Sequence, residues 1–231
     1  MAKKINIDKK PIGIAAALLT AFAILGIGLV AITKEVTAER IAEQQLRALL
    51  SGLNDVVASS RYDNNLAEDV ITVQDKTLLG GNLPRRIYRA RKSGLPIAAV
   101  ISTAANDGYN TSKPIQLLVG INIDGTLANV RVVHHGETPG LGDGIKLDTS
   151  DWILSFNGKS LRSHSQKQWN VKKDGGDFDE FTGATITPRA VVRAVHKTLL
   201  YFKKNQNMIF APLDITDEKE ISPQPRSTHD Q

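Results

Sequence analysis

The chain has 231 residues, a formal net charge of +5 and no cysteine; this suits one folded core with an anchor and tails, and excludes disulfides, thiol catalysis and cysteine-ligated iron–sulfur clusters. Lys3, Lys4, Lys9 and Lys10, set against Asp8, place +3 of that charge in the first ten residues, so residues 11–231 carry only +2. No basic run with interleaved aromatic residues remains to form a nucleic-acid footprint.

Residues 11–33 are 23 uncharged positions rich in Ile, Leu, Ala and Gly. At about 1.5 Å per residue they cross a hydrocarbon core of about 30 Å, and the stretch is read as one uncleaved transmembrane helix. A cleaved signal peptide is the competing reading, but its apolar part is about 7–15 residues, and no convincing small-x-small cleavage site follows. Four lysines precede the span and only Lys34 and Arg40 lie close behind it. The positive-inside rule therefore assigns residues 1–10 to the cytoplasm as a basic tail and the remainder to the other side.

Residues 34–85 read as a helical stalk and connecting segment. Ile41, Leu46, Leu49, Leu50 and Leu53 give residues 35–51 an apolar side. Residues 54–66 are turn-rich, and Gly80, Gly81 and Pro84 mark a loop over 78–85.

An α+β domain, an antiparallel sheet with packed helices, is expected over residues 86–212. Segments 86–91 and 96–103 are short β candidates around Ser93-Gly94, and 115–123 and 127–134 flank Asp124-Gly125, a strong hairpin signal. Residues 152–156 read as a short helix or buried turn, and 169–171 as a further short β candidate. Thr187 offers an N-cap hydroxyl and Pro188 suits the first helical position, with Val191, Val195, Leu199 and Phe202 following on one face. That predicts a helix over 188–204 lying on one sheet face. Residues 213–231 offer little to bury, and a disordered tail is expected.

Two stretches stand out beyond packing. Thr182, Gly183, Ala184 and Thr185 lie just before the predicted helix, where unpaired N–H groups and the helix dipole favour an anion such as a phosphate. An ordinary capped helix start reads equally from the same residues. The second stretch, His134-His135-Gly136-Glu137-Thr138-Pro139-Gly140-Leu141-Gly142-Asp143, is a tight loop directly after a strand, able to present backbone N–H groups to a ring edge or an oxyanion. His134, His135 and Glu137 also suggest a metal-assisted hydrolase, but neighbouring strand residues point to opposite faces, and no metal is assigned. A Gly-x-Ser-x-Gly nucleophile elbow, a phosphate-binding loop of nucleotide hydrolases and a dinucleotide fingerprint are all absent from the sequence. The acidic run Asp174, Asp177, Asp179 and Glu180 would repel a nearby anion, and reads as a solvated loop with Lys172 and Lys173 as counter-charges.

Asp179-Glu180-Phe181-Thr182-Gly183-Ala184-Thr185 fits the pattern Asp-x-x-Ser/Thr-Gly-Ala-Thr, and the loop Glu137-Thr138-Pro139-Gly140-Leu141-Gly142 precedes it. Both motifs, behind one N-terminal span, resemble a family of membrane-anchored flavoproteins. These are the G subunits of Rnf-type (Rsx) ion-translocating electron-transport complexes, which share an FMN-binding domain with the C subunit of the sodium-pumping NADH:quinone oxidoreductase. The resemblance covers nearly the whole chain except the tail. It implies that Thr185 carries covalent FMN through the flavin's phosphate, and that Thr182, Gly183, Ala184 and Thr187 lie near the phosphate end. Glu137, Thr138, Leu141 and Gly142 would lie near the ring. Asp179 would be a recognition mark for a separate FAD-dependent, magnesium-requiring flavin transferase. The function implied is that of an electron-carrier subunit of a translocase, without turnover of its own. Its partners would be integral-membrane, iron–sulfur and flavin subunits, in a bacterial inner membrane, with the folded domain in the periplasm. The alternative is an anchored extracytoplasmic module that binds its ligand non-covalently in the same cleft.

Overall fold

The structure, a computed structural model, describes residues 9–212; residues 1–8 and the expected disordered tail over 213–231 lie outside the described residues. Two compact units divide after Ser51. Helix α1 runs Lys9–Val56 without a break, over both the expected span and the expected stalk. Its Leu18, Leu19, Phe22, Leu25, Ile27 and Val30 are exposed apolar side chains. Among the described residues no helix is long and apolar enough to cross a membrane; the side chains of Pro11, Ile12, Ala15, Ala16, Ala17 and Ile32, all within the expected span, lie outside the described residues.

The second unit, from Gly52, is built on a five-stranded antiparallel sheet. Its strands are β1 (Val70–Val73), β2 (Arg85–Lys92), β3 (Leu95–Ala105), β4 (Ile115–Asn122) and β5 (Leu127–His134), and their order in the sheet is their order in the chain. The four expected strands are present within a residue or two at most ends, and β1 adds a fifth that pairs with β2 from Val70↔Tyr88 to Val73↔Arg85. Ser93 and Gly94 both have positive φ, so the β2–β3 hairpin closes through the two-residue turn whose twist matches that of the strands. In the β4–β5 turn, Asp124 Oδ1 accepts from the Thr126 N–H at 2.9 Å and from its hydroxyl at 2.7 Å. Those two bonds hold the Asp124 carboxyl below the usual carboxylate range.

Helix α2, Ile186–Ile209, packs across β3 and β4. Its predicted apolar face is the buried one: Val191, Val195, Leu199 and Phe202 meet Ile101, Leu117, Val119 and Ile121 in a single core. The helix is longer than expected at both ends. At its far end buried Arg89 of β2 pairs with Asp69 and donates to the carbonyl of Ala211 at 2.8 Å, so a cation satisfies the helix C-terminus. On the other sheet face lies Val56. A Cβ at Gly120 would sit 2.4 Å from Val56 Cγ1, which explains glycine in the middle of β4.

The 51 positions between β5 and α2 hold only three short 3₁₀ turns, Asp143–Ile145, Asp151–Phe156 and Lys172–Asp174. Aromatic rings fix this segment instead. Phe156 stacks on Phe178 at 4.6 Å, Trp169 lies 5.5 Å from Phe178, and Trp152 meets Phe156 and Phe181 edge-on at 5.4 and 5.3 Å. The expected strand at 169–171 is reduced to an isolated bridge between Val171 and Phe178. Residues 152–156 fall in a 3₁₀ turn whose Trp152 N–H bonds to the Ser150 hydroxyl at 3.2 Å.

A cleft at the start of helix α2

Where the chain leaves β5, Gly136 passes so close to the β3–β4 loop that a Cβ there would lie 2.6 Å from Lys113 Cβ. Glu137 then turns inward and is only 5% exposed. The buried carboxylate needs donors, and it has two. The hydroxyl of Thr187 donates to Oε2, and the Asn110 N–H reaches Oε1 at 3.4 Å. The Glu137 N–H itself donates to His135 Nδ1 at 3.2 Å. Beyond it the Thr138 carbonyl accepts from Leu141 N and Gly142 N at 3.2 and 3.0 Å, and Gly140 takes φ +76°. This tight turn leaves Leu141 pointing outward, half exposed.

The opposite wall is the segment entering α2. Trp152 Nε1 donates to the Asp179 carbonyl at 2.8 Å, and Phe181 is held against Trp152. Gly183 has φ +82°, a conformation open to glycine and costly for other residues. Ala184 N bonds back to the Phe181 carbonyl at 3.0 Å, and the helix begins after Thr185.

Between these walls lies a cleft of ≈ 230 Å³ lined by Tyr109, Glu137, Thr138, Leu141, Gly142, Gly183, Ala184, Thr185, Ile186 and Thr187. Eight of the nine residues proposed from sequence as cofactor-binding are therefore neighbours, although Glu137 and Thr187 are 50 positions apart. Thr182 is the exception: it is exposed and does not line the cleft. Tyr109 and Ile186 line it and were not proposed. Ile186 is hidden in sequence because it lies just past the motif, between Thr185 and Thr187, and Tyr109 because it belongs to a hairpin loop with no motif.

Thr187 does not cap the helix. Thr185 occupies the position before the first helical residue, makes no side-chain cap bond, and Thr187 lies inside the first turn with its hydroxyl committed to Glu137. Burial decides this: Thr187 is 1% exposed, and the nearest demand for a donor is the buried carboxylate. The backbone N–H groups of Thr185 and Ile186 make no hydrogen bond within the described residues, and Pro188 has none to offer. Two N–H groups are thus free at the positive end of the α2 dipole, beside the half-buried Thr185.

Two members of the acidic run, Asp174 and Asp179, are paired locally. Arg189 makes a two-bond pair with Asp174 at 2.6 and 2.9 Å, and Lys172 pairs with Asp179. Hydrogen bonding to Asp179 pushes the Lys172 ammonium above its ordinary range, and Arg189 holds the Asp174 carboxyl below its own. No group of three His, Cys, Asp or Glu side chains among the described residues could hold a metal ion, and Glu137 is turned away from any such role by its bonds to Thr187 and Asn110.

Comparison with known proteins agrees with this architecture. Residues 108–200 match the family model of the FMN-binding domain, and residues 1–56 match that of the RnfG N-terminal region. The chain is 48% identical over 194 residues to the G subunit of the ion-translocating oxidoreductase complex of Pseudoalteromonas atlantica, covering 84% of this chain and 89% of the relative. It is 48% identical to the protein of the same name from Pseudomonas aeruginosa (85% and 91% covered) and 47% identical to that of Vibrio cholerae (83% and 90%). On coverage and identity together, the chain belongs to the family of G subunits of ion-translocating oxidoreductase complexes.

Proposed function

We propose that this protein is a membrane-anchored flavoprotein subunit that relays electrons within an ion-translocating oxidoreductase complex, with FMN esterified through its phosphate to the hydroxyl of Thr185. The observation that carries this reading is the setting of that hydroxyl. Thr185 lines the cleft, half-buried, with two free backbone N–H groups beside it at the start of a 24-residue helix. A phosphate diester there would set its remaining oxygens against the helix dipole. Gly183 and Ala184 leave space for it, and the cleft offers an apolar rim to a ring. When bound, the flavin supplies reversible electron transfer; the chain supplies its place, its surroundings and its tether.

Size argues for the tether. At ≈ 230 Å³ the cleft is smaller than the roughly 300–1,000 Å³ of sites that enclose a ligand of this kind. An FMN held there stays partly open to solvent, which suits exchange of electrons with a partner subunit and would favour loss of a dissociable cofactor. In attachment from FAD, the Thr185 oxygen forms the new bond to the flavin-side phosphorus. The bond to the adenylate breaks, and AMP leaves with the threonine proton balanced in solution. An FAD-dependent transferase outside the cytoplasm would carry out this step and read Asp179, which is exposed on the approach to the site.

The uncharged stretch over 11–33 supports a single span, and the lysines before it support a cytoplasmic N-terminus in a bacterial inner membrane, with the sheet domain periplasmic. The relatives' shared name, that of one subunit of an ion-translocating oxidoreductase complex, supports further subunits as partners, and integral-membrane, iron–sulfur and flavin subunits are the partners proposed. The decisive experiment is expression with the transferase followed by a denaturing gel under ultraviolet light. The parent is expected to give a yellow-green fluorescent band and Thr185→Val none. A band that survives in Thr185→Val sinks the site assignment. Its absence from the parent favours a non-covalent binding module.

A further inference from the structure

Three large apolar side chains stand exposed around one cleft: Tyr109 at 72%, Leu141 at 51% and Ile186 at 47%. Leu141 and Ile186 belong to the two walls already described. Tyr109 comes from a third element, the loop between β3 and β4, and its exposure is not that of a loose tip. Gly108 before it is buried so tightly that a Cβ would lie 2.9 Å from Glu137 Oε1, and Asn110 after it donates its N–H to that same oxygen and its side-chain amide to the Gly136 carbonyl at 3.3 Å. Asp107 is tied to Arg193 of α2 at 2.8 Å. The backbone on both sides of Tyr109 is therefore fixed to the residues that build the cleft, while its ring is left uncovered.

Such an arrangement leaves apolar surface in water unless a ligand covers it. Leu141 and Ile186 offer aliphatic contact, whereas Tyr109 offers a flat, electron-rich face suited to offset stacking on another ring. We propose that Tyr109 is the aromatic clamp of the site, stacking on the isoalloxazine ring of the flavin and holding it against the apolar rim made by Leu141 and Ile186. The inference rests on the reading that Thr185 carries FMN. It gives the flavin ring a protein contact from the half of the domain that contains neither motif.

A phenol in van der Waals contact with a flavin quenches its emission, and this allows a test separate from activity. Parent, Tyr109→Ala and Tyr109→Trp proteins are produced with the transferase, and flavin fluorescence is read twice, on the native protein and on the denatured gel band. Denaturation abolishes stacking and leaves the tether, so the gel band reports attachment alone. Equal gel bands are expected in all three, with native emission several-fold higher in Tyr109→Ala than in the parent and low again in Tyr109→Trp. Equal gel bands with unchanged native emission in Tyr109→Ala would overturn the clamp and leave the Thr185 assignment standing. A dark gel band from the parent would overturn both.

Discussion

The hydroxyl of Thr187 donates a hydrogen bond to the carboxylate of Glu137, both side chains being almost wholly buried. This one bond joins the loop after β5 to the first turn of α2, and the cleft is the space left between those elements. Thr187→Val keeps the shape and removes the donor, so a buried carboxylate loses a partner at a cost of about 1–3 kcal/mol. For a domain of this size that lowers the melting temperature by roughly 2–4 °C per kcal/mol. Glu137→Leu combined with Thr187→Val is expected to cost less than the sum of the single changes. Strict additivity in thermal unfolding would mean that the bond is not what joins the two walls.

Gly142 and Gly140 separate steric contact from backbone conformation within one loop. A Cβ at Gly142 would lie 2.9 Å from Glu137 Cβ and 3.0 Å from Thr187 Oγ1, while a Cβ at Gly140 meets nothing within 4 Å but sits at φ +76°. Gly140→Ala is expected to cost about 1–2 kcal/mol of backbone strain and to leave flavin attachment unchanged. Gly142→Ala overpacks the Glu137–Thr187 contact, at about 1–3 kcal/mol, and lowers attachment as well. Measuring unfolding and the denatured flavin band in both variants checks the contrast, which is lost if they behave alike.

Asp179→Asn addresses recognition alone. The side chain is exposed and its pairing with Lys172 is a surface ion pair, screened by solvent. The melting curve is expected to be unchanged while the flavin band fades in cells that contain the transferase. A variant flavinylated as fully as the parent removes Asp179 from the recognised motif.

Acid should weaken the domain through its histidines. Burial of His196, whose ring lies parallel to Trp169 at 5.5 Å, pushes its pKa below the ordinary imidazole value. His164 is shifted the same way by desolvation and then by Lys159, against an opposing pull from Asp177. A depressed imidazole pKa means that the unfolded chain binds protons more readily, so stability is complete above about pH 6.5 and falls as pH drops below it. Melting followed by tryptophan emission between pH 5 and 8 should show this slope, and His196→Gln should flatten it. A slope indifferent to both histidines would assign the acid sensitivity to other groups.

Much of this domain is written locally. Ser93-Gly94 and Asp124-Gly125 announce their hairpins because each turn needs backbone conformations that few residues accept, and Val191, Val195, Leu199 and Phe202 mark the buried face of α2 by spacing alone. Strand β1 is less legible: four residues at a sheet edge carry too short a pattern to separate from a loop. The segment between β5 and α2 escapes for another reason. It is organised by rings meeting across sequence, such as Trp152 with Phe181 and Trp169 with His196, and no periodicity records such contacts. Thr187 shows the limit most clearly. A threonine before a proline reads as a cap, and only the buried Glu137, 50 residues earlier, claims the hydroxyl for itself.

Each strand of the sheet pairs only with its neighbours in sequence, so the sheet can close hairpin by hairpin with little loop entropy to overcome. Helix α2 is different: it follows β5 by 51 positions and must dock across β3 and β4. The cleft wall that carries Thr185 therefore closes only once α2 has docked on the sheet. A chain whose strands have paired but whose helix α2 is undocked presents a threonine without its pocket, so the proposed attachment of FMN at Thr185 would serve as a report on completed folding.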